Sequence, residues 1–172
     1  MILCSNHDFD HGVPRLEDLA SKCNFPWLIS NVWDRTTGGT LGNGHEWLVL
    51  EWQGYRIGLM GLIESEWLET LATVSTDHIR YESFVDVGRK LARLLRTEQK
   101  VDFVIALTHM RVPNDELLAK SVPELDLILG GHEYGHSLLS FYKFIYLFFF
   151  IYLFKKKTAC SATTISALST GA

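Results

Sequence analysis

Short apolar runs alternate with amphipathic stretches along this chain, and three of the runs end on a histidine or an Asn-His pair. These are Ile2-Leu3-Cys4 leading into Ser5-Asn6-His7-Asp8-Phe9-Asp10, Val101 to Leu107 followed by Thr108-His109, and Leu125 to Leu129 followed by Gly130-Gly131-His132. Between them, Val13 to Cys23 reads as a helix, with Leu16, Leu19, Ala20 and Cys23 on one side and Pro14 in its first turn, where a missing N–H costs nothing. Trp27 to Val32 reads as one buried strand, and the Gly- and Thr-rich stretch from Trp33 to Gly44 as a loop. Glu46 to Trp52 and Tyr55 to Ile63 flank Gln53-Gly54 and predict a hairpin, while Glu64 to Tyr81 is less regular. Phe84, Val87, Leu91, Leu94 and Leu95 recur at helical spacing, and a short helix is expected around Asp115 to Lys120. Strands alternating with helices, with one hairpin among them, predict an α/β layered domain with a mixed sheet.

In such sheets, side chains leaving the carboxyl ends of buried parallel strands converge on one crevice. Amide oxygen and neutral imidazole are both ligands for divalent metals of intermediate hardness, so a metal site is the first functional expectation. The 172 residues, 47% hydrophobic, are enough for one domain with its own core. The sixteen Lys and Arg are scattered apart from Lys155-Lys156-Lys157 and the net charge is −4, so no basic patch is dense enough to suggest nucleic acid, and none is expected as a partner. Cys4, Cys23 and Cys160 form neither a zinc spacing nor an even disulfide framework. No secretory signal peptide is read at the amino terminus, which leaves a cytoplasmic or membrane-associated location open.

The carboxyl end differs from the rest. Leu138 to Phe154 is an aromatic apolar run that holds more than half of the chain's Phe and Tyr, and three lysines follow it. As a helix its seventeen residues would reach about 25 Å, a little short of the roughly 30 Å hydrocarbon layer. Three readings stand: a membrane anchor, a buried core element, or a stretch that does not belong to the folded domain. The division read from sequence is a partial domain over 1–137, an aromatic apolar segment over 138–157 for which a membrane helix is one reading, and a disordered tail over 158–172.

Ser5-Asn6-His7-Asp8-Phe9-Asp10-His11-Gly12 resembles the Gly-Asn-His-Asp/Glu signature of the calcineurin-like metallophosphoesterases, in the form typical of their 5′-nucleotidase branch, where an Asp follows the His by three residues. The resemblance continues in order through Thr108-His109 and Gly130-Gly131-His132 and covers Met1 to Tyr134. It implies a layered metallophosphoesterase-type mixed β-sheet or sandwich with flanking helices, amino-terminally truncated; the apolar carboxyl-terminal helix expected after it comes from the aromatic run alone. It also implies metal-dependent hydrolysis of a phosphate ester, with a nucleotide as one candidate substrate. By this resemblance Asn6, His109 and His132 ligate a divalent metal (Mn, Zn, Co, Fe or Mg), and His7 with Asp10 is the catalytic dyad. The family's Asp-x-His and Gly-Asp motifs, the second supplying a bridging carboxylate, belong upstream of the Asn-His segment, and only five residues stand there. Ser5 replaces the signature Gly, and Tyr134 occupies the place of a second metal-binding histidine, with His136 out of register. Catalysis by this chain is therefore expected to be impaired. The alternative is a non-catalytic, membrane-associated domain remnant held through 138–154. His11, His45 and His78 match no motif and are expected on the surface; Trp33, Trp47, Trp52 and Trp67 are expected to pack in the core or loops.

Overall fold

The computed structural model describes residues 2–71 and 75–132. The segments 138–157 and 158–172, with Tyr134 and His136, lie outside the described residues, and with them the membrane reading. Among the described residues no helix is long and apolar enough to cross a membrane.

Eight strands and three α-helices make up the described domain: β1 (Ile2–Leu3), α1 (Val13–Ala20), β2 (Trp27–Leu28), β3 (Val32–Asp34), β4 (Trp47–Trp52), β5 (Tyr55–Ile63), β6 (Ile79–Tyr81), α2 (Phe84–Thr97), β7 (Phe103–His109), α3 (Val112–Ser121) and β8 (Leu127–Gly130). The main sheet has the order β4-β5-β7-β8, with β4 antiparallel to β5 and the other pairs parallel, so it is the mixed sheet expected. β1 pairs with β2 in parallel, and β3 with β6 in antiparallel. Gln53 and Gly54 both take positive φ, 49° and 81°, which is the turn geometry that matches the twist of a two-residue hairpin.

α2 and α3 cover one face of the sheet. Met60, Leu62, Val104 and Ala106 meet Val87, Leu91, Ala92 and Leu95 of α2 and Leu118 of α3 there. On the opposite face Ile57, Leu59, Ile105 and Leu127 pack with Leu28. A third cluster, with Phe9, Leu16, Ile29, Val32, Ile63 and Trp67, lies under the Asn6–Phe9 turn. Trp33 and Trp67 pack in the interior as expected, but Trp52 is 47% exposed and Leu50 beside it 46%. Their strand alternation puts them on the Ile57 face, through the pairs Leu50↔Ile57 and Trp52↔Tyr55.

The run from Trp27 to Val32 is not one strand. β4 pairs with β5 only as far as Met60, and beyond that point the strand is bonded by Ser30 and Asn31. Ser30 N donates to Gly61 O at 2.7 Å, and Gly61 N donates back to the Ser30 hydroxyl at 2.7 Å. Ile63 N donates to the Asn31 amide oxygen at 3.0 Å. Side-chain oxygens stand in for backbone carbonyls, so the ladder is interrupted although both residues are buried. β7 also runs two residues later than its apolar pattern indicated, because Asp102 is held in the preceding turn, its carboxylate accepting from Arg56 N at 2.9 Å. His109 is thereby the last residue of the strand and not a loop residue.

One buried and one half-buried proton, on Cys4 and Tyr81, make the fold sensitive to alkali. Burial, with Asp8 nearby, pushes the Cys4 thiol up to about 12, and burial pushes Tyr81 up to about 12. Both groups hold protons more tightly folded than unfolded, where their ordinary values are 9.0 and 10.0. Their stabilisation is complete below pH 9 and is lost as pH rises toward about 12. Urea unfolding at pH 8 and pH 10.5 is expected to show lower stability at the higher pH, with a shallower fall in a Cys4→Ala, Tyr81→Phe double variant. An equal fall in both proteins would remove these groups as the cause.

Candidate metal centre

The three polar tips read from sequence meet in space. β1 ends in a one-turn 3₁₀ helix, Asn6–Phe9, preceded by Ser5, whose N–H and hydroxyl both donate to the Asp8 carboxylate, at 2.7 and 3.0 Å. Phe9 fastens this turn to the core, its ring standing edge-on to Trp67 with 5.3 Å between centroids. With Phe9 buried and Asp8 turned back on Ser5, Asn6 faces β7. Its amide oxygen is 3.0 Å from His109 Nε2. His132, just after β8, brings Nδ1 to 3.0 Å from the same His109 nitrogen, the two rings edge-on with centroids 4.6 Å apart. The sheet register explains the meeting: Ile63 lies opposite His109, and Thr108 opposite Gly130, so the tips of β5, β7 and β8 end level.

His7 and Asp10 form a separate pair on the same turn, His7 Nδ1 to Asp10 Oδ2 at 3.1 Å, with side chains 79% and 55% exposed. The carboxylate occupies Nδ1 and leaves Nε2 on the other side of the ring for a ligand. His11, His45 and His78 are exposed, as expected.

The donor set fits a divalent cation. Burial, and then the neighbouring His132, hold the His109 imidazole below its ordinary range; the Gly131 backbone and the charges of Asp8 and Glu64 oppose this. A depressed imidazole is neutral at neutral pH, which is the ligating form. Imidazole nitrogens about 2.0–2.1 Å from a tetrahedral Zn²⁺ would stand roughly 3.3 Å apart, so two nitrogens 3.0 Å apart need little movement to share one cation. Among the described residues no group of three or more His, Cys, Asp or Glu is placed to hold a metal, so the set is two imidazoles and one amide.

Around these tips stand carboxylates that the motif reading did not single out. Thr108 donates to Asp115 of α3 at 2.6 Å, and buried Glu64, the residue after β5, accepts from Arg111 N at 3.0 Å and Asn114 Nδ2 at 2.6 Å.

No family model matches the chain. It is 30% identical over 140 residues to a 5′-nucleotidase of Vibrio cholerae, an alignment covering 74% of this chain and 25% of the relative. It is also 30% identical over 135 residues to an apyrase of Tabanus yao, covering 78% and 24%. The chain is a relative of the 5′-nucleotidases. In three dimensions this nucleotidase relative matches a 5′-nucleotidase precursor of Thermus thermophilus with a TM-score of 0.65 at 24% identity, over 76% of this chain and 25% of that one. It matches the NAD nucleotidase of Haemophilus influenzae with a TM-score of 0.63 at 20% identity, over 75% and 25%. The chain therefore spans about a quarter of the length of the curated relatives it matches.

Proposed function

We propose that the domain is a phosphoester hydrolase unit of the 5′-nucleotidase type, in which Asn6, His109 and His132 hold one divalent cation and His7 with Asp10 serves the phosphoryl group. The observation that carries the reading is the convergence of the Asn6 amide oxygen and the His132 imidazole on one nitrogen of His109, each at 3.0 Å, at the carboxyl ends of strands. A cation held by these three donors would supply Lewis-acid polarisation of a phosphate ester. Asn6 and the two imidazoles would position it. His7 acts differently. Asp10 Oδ2, 3.1 Å from Nδ1, holds the ring so that its far nitrogen, Nε2, would face the phosphoryl oxygens and hydrogen-bond to them. A nucleotide is the substrate class suggested by the relatives, which include 5′-nucleotidases and an apyrase.

An amide and two imidazoles do not make a two-metal site. A polypeptide of these 172 residues is accordingly proposed to bind a cation yet to turn over slowly. The test is metal content after purification and dialysis, compared with His109→Ala and His132→Ala. The expected result is cation retained by the parent and lost from both variants, by at least about tenfold in affinity. Equal content in all three proteins would end the site reading, and hydrolysis of a nucleoside monophosphate at an ordinary enzymatic rate would end the claim of impairment.

A further inference from the structure

We infer that the first turn of α3 is the alignment device of the candidate centre, with Asp115 and Glu64 as positioning residues that hold three strand tips level so that His109 and His132 meet. The inference rests on the metal-site reading above and goes beyond it, since it concerns the groups around the cation donors and not the donors themselves.

Asp115 acts on β7 and β8 together. One of its oxygens accepts from the hydroxyl of Thr108, a buried residue directly before His109. The other oxygen stands only 2.5 Å from where a Cβ on Gly130 would be, so the carboxylate occupies the room that glycine leaves. Gly130 is the register partner of Thr108 and lies two residues before His132. One side chain therefore sits between the backbones that deliver both imidazoles.

Glu64 acts on β5 and β7. It follows Ile63, the register partner of His109, and is buried. Its Oε2 accepts from Arg111 N at 3.0 Å and from Asn114 Nδ2 at 2.6 Å, and its Oε1 accepts from Arg111 Nε at 3.1 Å. Arg111 is the residue that caps α3, two positions after His109, and it also pairs with Glu66. A carboxylate is costly to bury without partners, and here its oxygens take three donors from one turn of chain. The short link from His109 to α3 is thus pinned at both ends, by Asp115 to the strand and by Glu64 to the neighbouring strand.

Two nitrogens that must share a cation tolerate little displacement, and groups that orient metal ligands typically change affinity 10–100-fold when removed. A purely structural pair would lower stability and leave affinity alone. The experiment separates these. Co²⁺ is titrated into the parent protein, Asp115→Ala, Asp115→Asn, Glu64→Ala and the core variant Leu91→Ala, with d–d absorption and thermal unfolding of the metal-free form recorded for each. The expected result is 10–100-fold weaker Co²⁺ binding and an altered absorption envelope in Asp115→Ala and Glu64→Ala. Asp115→Asn, which still accepts from Thr108, should restore most of the affinity, and Leu91→Ala should lose stability but bind as the parent does. Should Asp115→Ala not fold, Thr108→Val, which deletes only the donor, is read in its place with the same expectation. Parent-like affinity and spectrum in the two alanine variants, with lowered stability alone, would overturn the inference. A parent protein that shows no Co²⁺ absorption would instead sink the site reading, and this inference along with it.

Discussion

Replacing Asn31 with alanine is expected to cost at least about 3 kcal/mol, which is a large share of the 5–15 kcal/mol that holds a typical domain folded. The side chain is completely buried and makes three bonds to backbone: its amide N–H₂ donates to Ile63 O at 2.9 Å and to Glu82 O at 3.1 Å, and its oxygen accepts from Ile63 N at 3.0 Å. Its own carbonyl accepts from Glu82 N at 3.0 Å. One residue thus joins the end of β5 to the segment entering α2. Alanine would leave one N–H and two carbonyls without those partners in the interior, each desolvated at about 1–3 kcal/mol. Urea unfolding should show a lower midpoint with unchanged slope, whereas Lys120→Ala, which removes an exposed helix-surface pair with Glu116, should move it by less than about 0.5 kcal/mol. A loss under 1 kcal/mol for Asn31→Ala would mean that these bonds are replaced by water.

Asn31 also shows where sequence pattern stops informing. The apolar character of Trp27 to Val32 correctly marks the segment as buried, but periodicity has no means of distinguishing a strand bonded through its backbone from one bonded through Ser30 and Asn31 side chains. The hairpin was legible because Gln53-Gly54 is a turn signal confined to two residues, and α2 because Val87, Leu91 and Leu95 mark one face over three turns. α3 was expected over its second half only. It begins at Val112, with Pro113 in its first turn, and it presents little apolar periodicity because only Leu118 is buried. Trp52 was expected to pack in the core or a loop because tryptophan is usually well buried, yet its place at the end of an edge strand leaves it 47% exposed.

The candidate centre divides in the same manner. Asn6, His109 and His132 were legible as polar endings of apolar runs, and His7 with Asp10 as neighbours three apart on one turn, now 3.1 Å from each other. Glu64 and Asp115 were not legible. Glu64 meets Arg111 across 47 positions of chain, and that partnership exists only once β5 and β7 lie side by side. Asp115 looks like an ordinary helix residue until Thr108 and Gly130 are brought against it by the register of β7 and β8. Ligand types can be read from local sequence, whereas the groups that aim them are products of the sheet.

The same dependence makes Gly61 the position where a change in packing should be felt at the centre. A Cβ there would stand 2.7 Å from Leu3 Cδ1, 2.9 Å from Leu28 Cβ and 3.0 Å from Leu28 O. The leucine side chain can rotate, but the Leu28 backbone has little freedom, because its carbonyl accepts from Cys4 N at 3.1 Å and Ser30 N is bonded to Gly61 O at 2.7 Å. A methyl group must therefore push β1 and β2 away from β5. Gly61→Ala is expected to cost about 1–3 kcal/mol as an overpacked core substitution, and Gly61→Val more. β1 leads within three residues to Asn6, whose oxygen lies 3.0 Å from His109, so a displacement of a few tenths of an ångström is carried to the cation donors. Metal affinity should fall with stability in both variants. Gly54→Ala is the matched control: its φ of 81° makes alanine strained, but nothing lies within 4 Å of the new Cβ and the hairpin turn is remote from the tips. It should lose about 1 kcal/mol and bind metal as the parent does. If Gly61→Ala were destabilised to the same degree yet kept full metal affinity, Asn6 would have to reach the cation independently of where β1 lies, and the amide would no longer belong among the positioned ligands.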